Sequence, residues 1–203
     1  MQITLLKHAS FCHQRELDNK ALRQQLKEQF GIAGRRLDNF TLCALGAVAK
    51  LGSEIHQCKP LSLISCAAYF SIELIQQMLL DMQQGKNIRP LDFVSTVGNA
   101  ANFYIAKEFA IGGSNIFIGA GEDALAKSLL ISSLEAQTNK TGSVLLLVWQ
   151  ESEEQRRCHA LLLRDSKESD TSYAQPQIFK DIDDLSKLHT PLVLALHPIS
   201  INK

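Results

Sequence analysis

The chain has 203 residues, of which 45% are hydrophobic and 21% charged, the balance of an ordinary globular protein. That length can bury a core that needs neither disulfides nor a structural metal. Its 21 basic and 21 acidic residues cancel to a formal net charge of zero, which argues against nucleic acid as a partner.

The N-terminal apolar stretch, Met1 to Leu6, is too short for a signal peptide, and Ile3–Leu6 reads as a short strand. No apolar run approaches the ~18–20 residues of a membrane span, so a cytoplasmic protein is the expectation. Residues 16–30 have helical spacing, with Leu17, Leu22, Leu26 and Phe30 on one face and Gly31 as C-cap. Asp38 is placed to cap a second helix running to about Leu51, ended by Gly52. After Pro60, residues 61–66 alternate apolar with small polar residues, as a strand does. Residues 71–84 form an apolar-faced helix closed by Gly85, 89–98 are irregular, and 99–109 read as a short helix. Gly112-Gly113-Ser114 is a turn. Asn115–Ile118 is a strand that meets Gly119-Ala120-Gly121 and passes straight into a helix over 122–137.

Val144–Trp149 is apolar throughout, as in a strand buried on both faces. Cys158–Leu163 lies close enough behind it to form an antiparallel hairpin. The segment 167–177 is polar, and Leu192–Leu196 is a candidate last strand. The alternation of strands and helices predicts an α/β fold with three α/β/α layers and a five-stranded mixed sheet. The expected division is one domain over 1–166, then a polar linker and C-terminal tail over 167–203.

The five cysteines, Cys12, Cys43, Cys58, Cys66 and Cys158, are odd in number and contain no CxxC, which fits reduced, buried thiols. Cys66, at a strand end before a helix, is the best thiol nucleophile candidate, although Ala67-Ala68-Tyr69 after it supplies no glycine elbow. His8, Cys12 and His13 are a weak metal constellation with no matching pair elsewhere. No metal and no cofactor is expected.

The strand–Gly-Ala-Gly–helix unit at 115–130 carries the most chemistry. It presents Glu122 and Asp123 at a helix start, where the amides and the dipole favour negative charge. Helix-start chemistry alone would account for these acids. Gly119–Ala124 also satisfies a loose G-x-G-x-x-A dinucleotide fingerprint, but the two acids stand where a pyrophosphate would approach.

Pro90-Leu91-Asp92-Phe93-Val94-Ser95-Thr96-Val97-Gly98-Asn99-Ala100 resembles the Ser-Pro-x-x-Phe-x-x-Ser-x-x-Asn segment of β-ketoacyl synthases. Phe109–Ser114 then stands where those enzymes carry a Phe-Gly-x-x-Gly-Pro turn, and Asn115–Gly121 is similar to their nucleophile strand. Arg35-Arg36-Leu37, the Ala120–Asp123 elbow and Val144–Glu151 are most similar to the small β-ketoacyl synthase-like N-terminal-domain family, within the thiolase-like superfamily. Members of that family accompany aryl-polyene and fatty-acid-type gene clusters. The resemblance spans roughly Leu37 to Leu163. One departure is Gly98, where the family more often has His.

The resemblance implies that Glu122 occupies the position of the catalytic cysteine, with Gly119, Ala120, Gly121 and Asp123 as its elbow. A thiolate nucleophile is stabilised at such a helix start, whereas a carboxylate would form only a reactive anhydride with an acyl group. The partner His and Asn groups of a full-length synthase belong to its second half. His189 and His197 lie in no comparable glycine-rich context. The implied role is a non-catalytic, chain-length-factor-like subunit in fatty-acid or polyketide biosynthesis. It would dimerise through Asn115, Ile116, Phe117, Ile118 and Gly119 with a full-length ketosynthase or with itself. An acyl carrier protein is a further candidate partner, and Ser95 and Asn99 form a candidate polar site. Two alternatives stay open: an enzyme on carrier-bound acyl groups using Glu122 as acid or base, and a dinucleotide-binding protein using Gly119–Ala124.

Overall fold

In the computed structural model, strand β1 runs over Gln2–Gln14, well past the Ile3–Leu6 run that the apolar pattern marks. The structure describes residues 1–16, 18–70, 72–119, 121, 123–138, 142–167, 174–177 and 190–196, with the backbone alone at 91 and 174–177. The strand continues because it pairs with residues 155–165 along its length, and the apolar pattern stops short because the register shifts between Leu5 and Lys7. Before the shift Ile3 and Leu5 face one side of the sheet; beyond it Ala9 and Phe11 face the other. A bulge of this kind breaks period-two alternation, so the strand has no continuous apolar signature.

Helices α1 (Asn19–Phe30) and α2 (Asn39–Ala49) follow. Each starts on an aspartate: Asp18 accepts from the Ala21 amide at 2.8 Å, and Asp38 from the Thr41 amide at 2.8 Å. Such caps typically contribute ~1 kcal/mol. Leu22 and Leu26 are buried as expected; Leu17 lies outside the described residues. A single turn, α3 (Glu54–Gln57), leads to β2 (Ser62–Ala67), buried along its whole length. Next come α4 (Ile72–Gln83), α5 (Pro90–Ser95) and α6 (Ala100–Glu108). The segment 89–98, expected to be irregular, thus contains a short helix, opened by Pro90 at its first turn, where a missing N–H costs nothing. Strand β3 (Asn115–Gly119), helix α7 (Ala124–Thr138) and the hairpin β4 (Ser143–Glu151) and β5 (Gln155–Asp165) complete the core.

The sheet has seven strands, not five, in the order β3-β2-β4-β5-β1-β7-β6, where β6 is Ala174–Gln177 and β7 is Leu192–Ala195. All five expected strands are present. Strand β7 pairs antiparallel with β1, and β6 pairs parallel with β7. Ala-Gln-Pro-Gln has no apolar alternation, because an outermost strand can be held by backbone bonds alone. Strands β3, β2 and β4 are parallel, and β4 and β5 antiparallel, so the sheet is mixed.

Two cores make the three layers. On one face α1, α2, α3 and α6 pack over Leu63, Leu145, Leu147, Cys158, Ala160 and Leu162. On the other, α7 packs over Ile64, Cys66, Val144, Leu146, Val148, Leu161 and Leu163. Helix α2 is buried from Phe40 to Val48. Its Gly46 lies against the Phe11 ring, where an added Cβ would sit 2.6 Å from the ring carbons. The helix read over 122–137 is α7, Ala124–Thr138. It covers its face of the sheet, yet Leu134, Ala126 and Lys127 face solvent, and α2 is the more deeply buried of the two. No helix among the described residues is long and apolar enough to cross a membrane.

Candidate functional site

Strand β3 is the first strand of the sheet. It pairs with β2 through Leu63↔Asn115 to Ala67↔Gly119, and its other side carries no strand among the described residues. Side-chain amide chemistry holds this edge in place. Asn102 on α6 is fully buried and donates to Asn115 Oδ1 at 2.9 Å and to the Ile116 carbonyl at 3.3 Å. Edges of this kind are templates for another chain unless they are blunted by charge, proline or a covering element. Asn115–Gly119 contains none of the first two.

The elements beside β3 carry unusually exposed apolar groups. Phe93 on α5 and Phe103 on α6 are each 62% exposed, and Tyr69 after β2 is 67% exposed. Val94 and Val97 are also exposed. Away from this edge, helix α4 buries none of its described residues and shows Ile72, Ile75, Leu79 and Met82 to solvent. It is moored by Glu73, which forms ion pairs with Arg15 and with Arg156, the latter at 3.0 Å. Apolar exposure on this scale usually marks an interaction site.

At its C-terminal end β3 runs into the elbow. Gly121 adopts the left-handed conformation (φ 87°), which glycine enters without the Cβ penalty. Its amide donates to the Ala68 carbonyl at 3.1 Å, and its carbonyl accepts from the Ala124 amide at 3.1 Å, fastening the turn to the head of α7. Asp123 is paired with Lys127 at 2.8 Å. A Cβ on Gly121 would meet Asp123 Oδ1 at 3.2 Å, so this carboxylate lies over the glycine that a pyrophosphate would have to approach. Ala120 and Glu122 lie outside the described residues.

In front of the elbow an aromatic row fills the helix-covered side of the sheet. Trp149 stacks on Phe40 (centroids 4.0 Å apart), Phe40 meets Phe70 edge-on (4.7 Å), and Phe70 leans on Phe117 (5.0 Å). Trp149 Nε1 donates to the Phe40 carbonyl at 3.1 Å. The Phe117 ring also lies over Gly98 and Gly119. A Cβ at Gly98 would come within 3.0 Å of three of its ring carbons, and one at Gly119 would lie 3.0 Å from Cε1. This gives Gly98, the position where the resembling family more often has His, a physical cause: Phe117 occupies the space.

Ser95 ends α5, and Asn99 stands before α6 with an exposed side chain that caps nothing. They flank the turn holding Gly98, so both lie on the Phe117 side of the elbow.

The remaining sequence candidates separate. His8 and Cys12, four residues apart, lie on a strand, where four residues span about 13 Å. His13, one residue on, points to the other face and is buried. Among the described residues no group of His, Cys, Asp and Glu could hold a metal. His8 instead stacks on His159 of β5, with Nε2 3.1 Å from Nδ1, a pair the sequence does not announce because 151 positions separate them. Cys12 Sγ donates to Gln155 Oε1 at 2.6 Å. Burial pushes the Cys66 thiol up to about 12, so it stays protonated and is a poor nucleophile. Cys43 is likewise pushed up to about 12. His189 and His197 lie outside the described residues.

No family model matches the sequence, and no curated protein matches it either. Solved structures do match. The chain is similar to a structure described as a ketosynthase (ApeO) in complex with its chain length factor (ApeC) from Xenorhabdus doucetiae, with a TM-score of 0.63 at 13% identity. That match covers 83% of this chain and 81% of the other, so the two are of comparable length. The ishigamide ketosynthase/chain length factor matches with a TM-score of 0.61 at 11% identity, over 87% of this chain and 64% of that one. A type II polyketide synthase ketosynthase bound to its acyl carrier protein, AntDE:AntF, matches with a TM-score of 0.53 at 14% identity, over 81% and 58%. The chain therefore spans less than two thirds of the second and third structures. At these identities the likeness shows the fold alone: the chain has the thiolase-like fold of these ketosynthase structures.

Proposed function

We propose that this chain is a non-catalytic, chain-length-factor-like subunit that pairs with a catalytic ketosynthase in fatty-acid or polyketide biosynthesis of the aryl-polyene type. The observation that carries the reading is the open edge of β3 with its surround of exposed Tyr69, Phe93, Val97 and Phe103. Asn115–Gly119 would pair antiparallel with the matching strand of the partner, and the exposed rings would pack around the seam. Full burial of a large apolar side chain contributes ~1.5–3 kcal/mol, so three or four such groups give an interface real affinity. A second copy of this chain is the alternative occupant of that edge.

The non-catalytic part rests on the sequence at the elbow. Glu122 stands where the resembling enzymes carry cysteine, and Phe117 fills the space beside the turn. Neither an acid–base enzyme nor a dinucleotide-binding protein gains a specific observation, and the Asp123 carboxylate over Gly121 works against the second.

The test is a reconstituted condensation assay with a ketosynthase encoded beside this chain, an acyl carrier protein and extender units, with products sized by mass spectrometry. Adding this chain should change product length or raise yield, and Glu122→Ala should leave that effect intact. Loss of the effect in Glu122→Ala would show that the carboxylate itself takes part in the chemistry.

A further inference from the structure

Helix α4, Ile72–Gln83, has 12 residues, and none of them is buried. Leu74, Met78 and Asp81 are half-buried, while Ile72, Ile75, Leu79 and Met82 lie between 40% and 60% exposed. These four are spaced by three, four and three residues. That is the narrow stripe of a two-helix seam, not the broader arc of a helix laid on a sheet. A helix this short takes most of its stability from packing and is marginal alone in water. Yet it is defined at both ends. Glu73 in its first turn is ion-paired with Arg15 and Arg156. At its far end Gly85 adopts the left-handed conformation (φ 69°), and the Lys86 amide returns to the Asp81 carbonyl at 2.9 Å.

The charges on α4 decide what fits the stripe. The helix carries two acids and no base. Glu73 is neutralised by Arg15 and Arg156; Asp81 is paired with Lys86 at 3.4 Å and accepts from Gln77 Nε2 at 3.0 Å. The residues flanking the stripe are Gln76, Met78 and Gln83, all neutral. With no lysine or arginine on its polar face, α4 is a poor match to an anionic lipid surface. No fixed charge beside the stripe selects a helix of opposite sign. An identical helix meets every requirement: the same apolar spacing, and neutral flanks that face one another without repulsion.

We infer that α4 docks on α4 of a second copy of this chain, antiparallel about a two-fold axis. Ile72 then meets the partner's Met82, and Ile75 meets the partner's Leu79. Antiparallel helices oppose their dipoles favourably and keep the two sheets, each joined near Glu73, at opposite ends of the pair. Four half-exposed aliphatic side chains per copy fall short of the ~1,000 Å² that a stable interface buries, so the pair is weak. In sheet order β5 and β1, which anchor α4, lie three and four strands from β3, roughly 14 and 19 Å, so the β3 edge stays open. The inference stands apart from the ketosynthase-partner reading.

The test follows the full chain by sedimentation velocity from micromolar to near-millimolar concentration, where the wild type should pass from monomer to dimer. Ile75→Glu/Leu79→Glu puts like charges across the seam and should weaken association at least tenfold, and Ile75→Lys/Leu79→Lys should do the same. Mixed, these two variants should form a heterodimer, because position 75 of one copy meets position 79 of the other. Val97→Glu/Phe103→Glu, beside β3, should change association less than twofold. A wild type monomeric throughout, variants that stay apart when mixed, or equal weakening by the Val97 and Phe103 changes would overturn the inference. So would a ketosynthase complex that Ile75→Glu/Leu79→Glu abolishes, or a wild type that partitions onto phosphatidylcholine vesicles before it dimerises. Unchanged thermal melting of the α4 variants keeps a loss of association from being a loss of fold.

Discussion

Phe117 can be tested as the residue that fills the space beside the elbow by adding one methyl group at Gly98. In Gly98→Ala the new Cβ would fall within 3.0 Å of three carbons of the Phe117 ring. The ring cannot simply swing away, since Phe70 packs on it with centroids 5.0 Å apart, and Phe40 and Trp149 extend the row behind. Overpacking of this kind costs typically ~1–3 kcal/mol, and we expect about 2. Phe117→Ala removes a half-buried ring and should cost about 2 kcal/mol, less than the ~3–5 of a fully buried phenylalanine. The double variant Gly98→Ala/Phe117→Ala should cost about 2 rather than the additive 4, because the space that the methyl needs has been vacated. Urea unfolding midpoints at constant slope supply the three values. Additive losses, or a Gly98→Ala protein as stable as the wild type, would refute the reasoning.

The His8–His159 pair predicts a pH dependence. Burial holds the His8 imidazole below its ordinary value, so the unfolded chain binds the proton more readily than the folded one. Stability is therefore complete above about pH 6.5 and falls as pH drops below it, by at most ~1.4 kcal/mol per pH unit for one proton. His8 is half-exposed, so a smaller slope is expected, and it should disappear in His8→Gln; an equal acid loss in that variant would assign it elsewhere. The cysteines should divide by exposure. Cys12 should react with a thiol reagent in the native protein, while Cys43, Cys66 and Cys158 should react only after denaturation. Native labelling of Cys66 would contradict its placement under α7. Glu122→Cys should give no condensing activity in the isolated chain, as measured by carbon dioxide release from a malonyl-carrier substrate; measurable turnover would show that the elbow alone suffices.

The parts of the fold legible in the sequence were those whose signal is local. Asp18 and Asp38 before apolar-faced helices, the all-apolar Val144–Trp149 and the glycines around β3 each specify their own neighbourhood. What escaped depended on pairing at long range. The C-terminal half of β1 lies beyond the bulge and is mostly polar, and it is a strand because β5 is there to pair with it. Strand β6 has no pattern of its own. The elbow position of Glu122 and the edge strand Asn115–Gly119 were visible as motifs in order along the chain. The aromatic row was not, because Phe40, Phe70, Phe117 and Trp149 come from four separate segments.

The proposed role turns on the open edge of β3, and the mass of the complex tests it most directly. The chain would be co-expressed with a tagged ketosynthase encoded beside it, and the purified material measured by light scattering. The account predicts a one-to-one complex that Val97→Glu/Phe103→Glu dissociates while leaving the fold of this chain unchanged, since both residues are exposed. A chain that stays monomeric beside the ketosynthase, or a complex indifferent to those two charges, would contradict it.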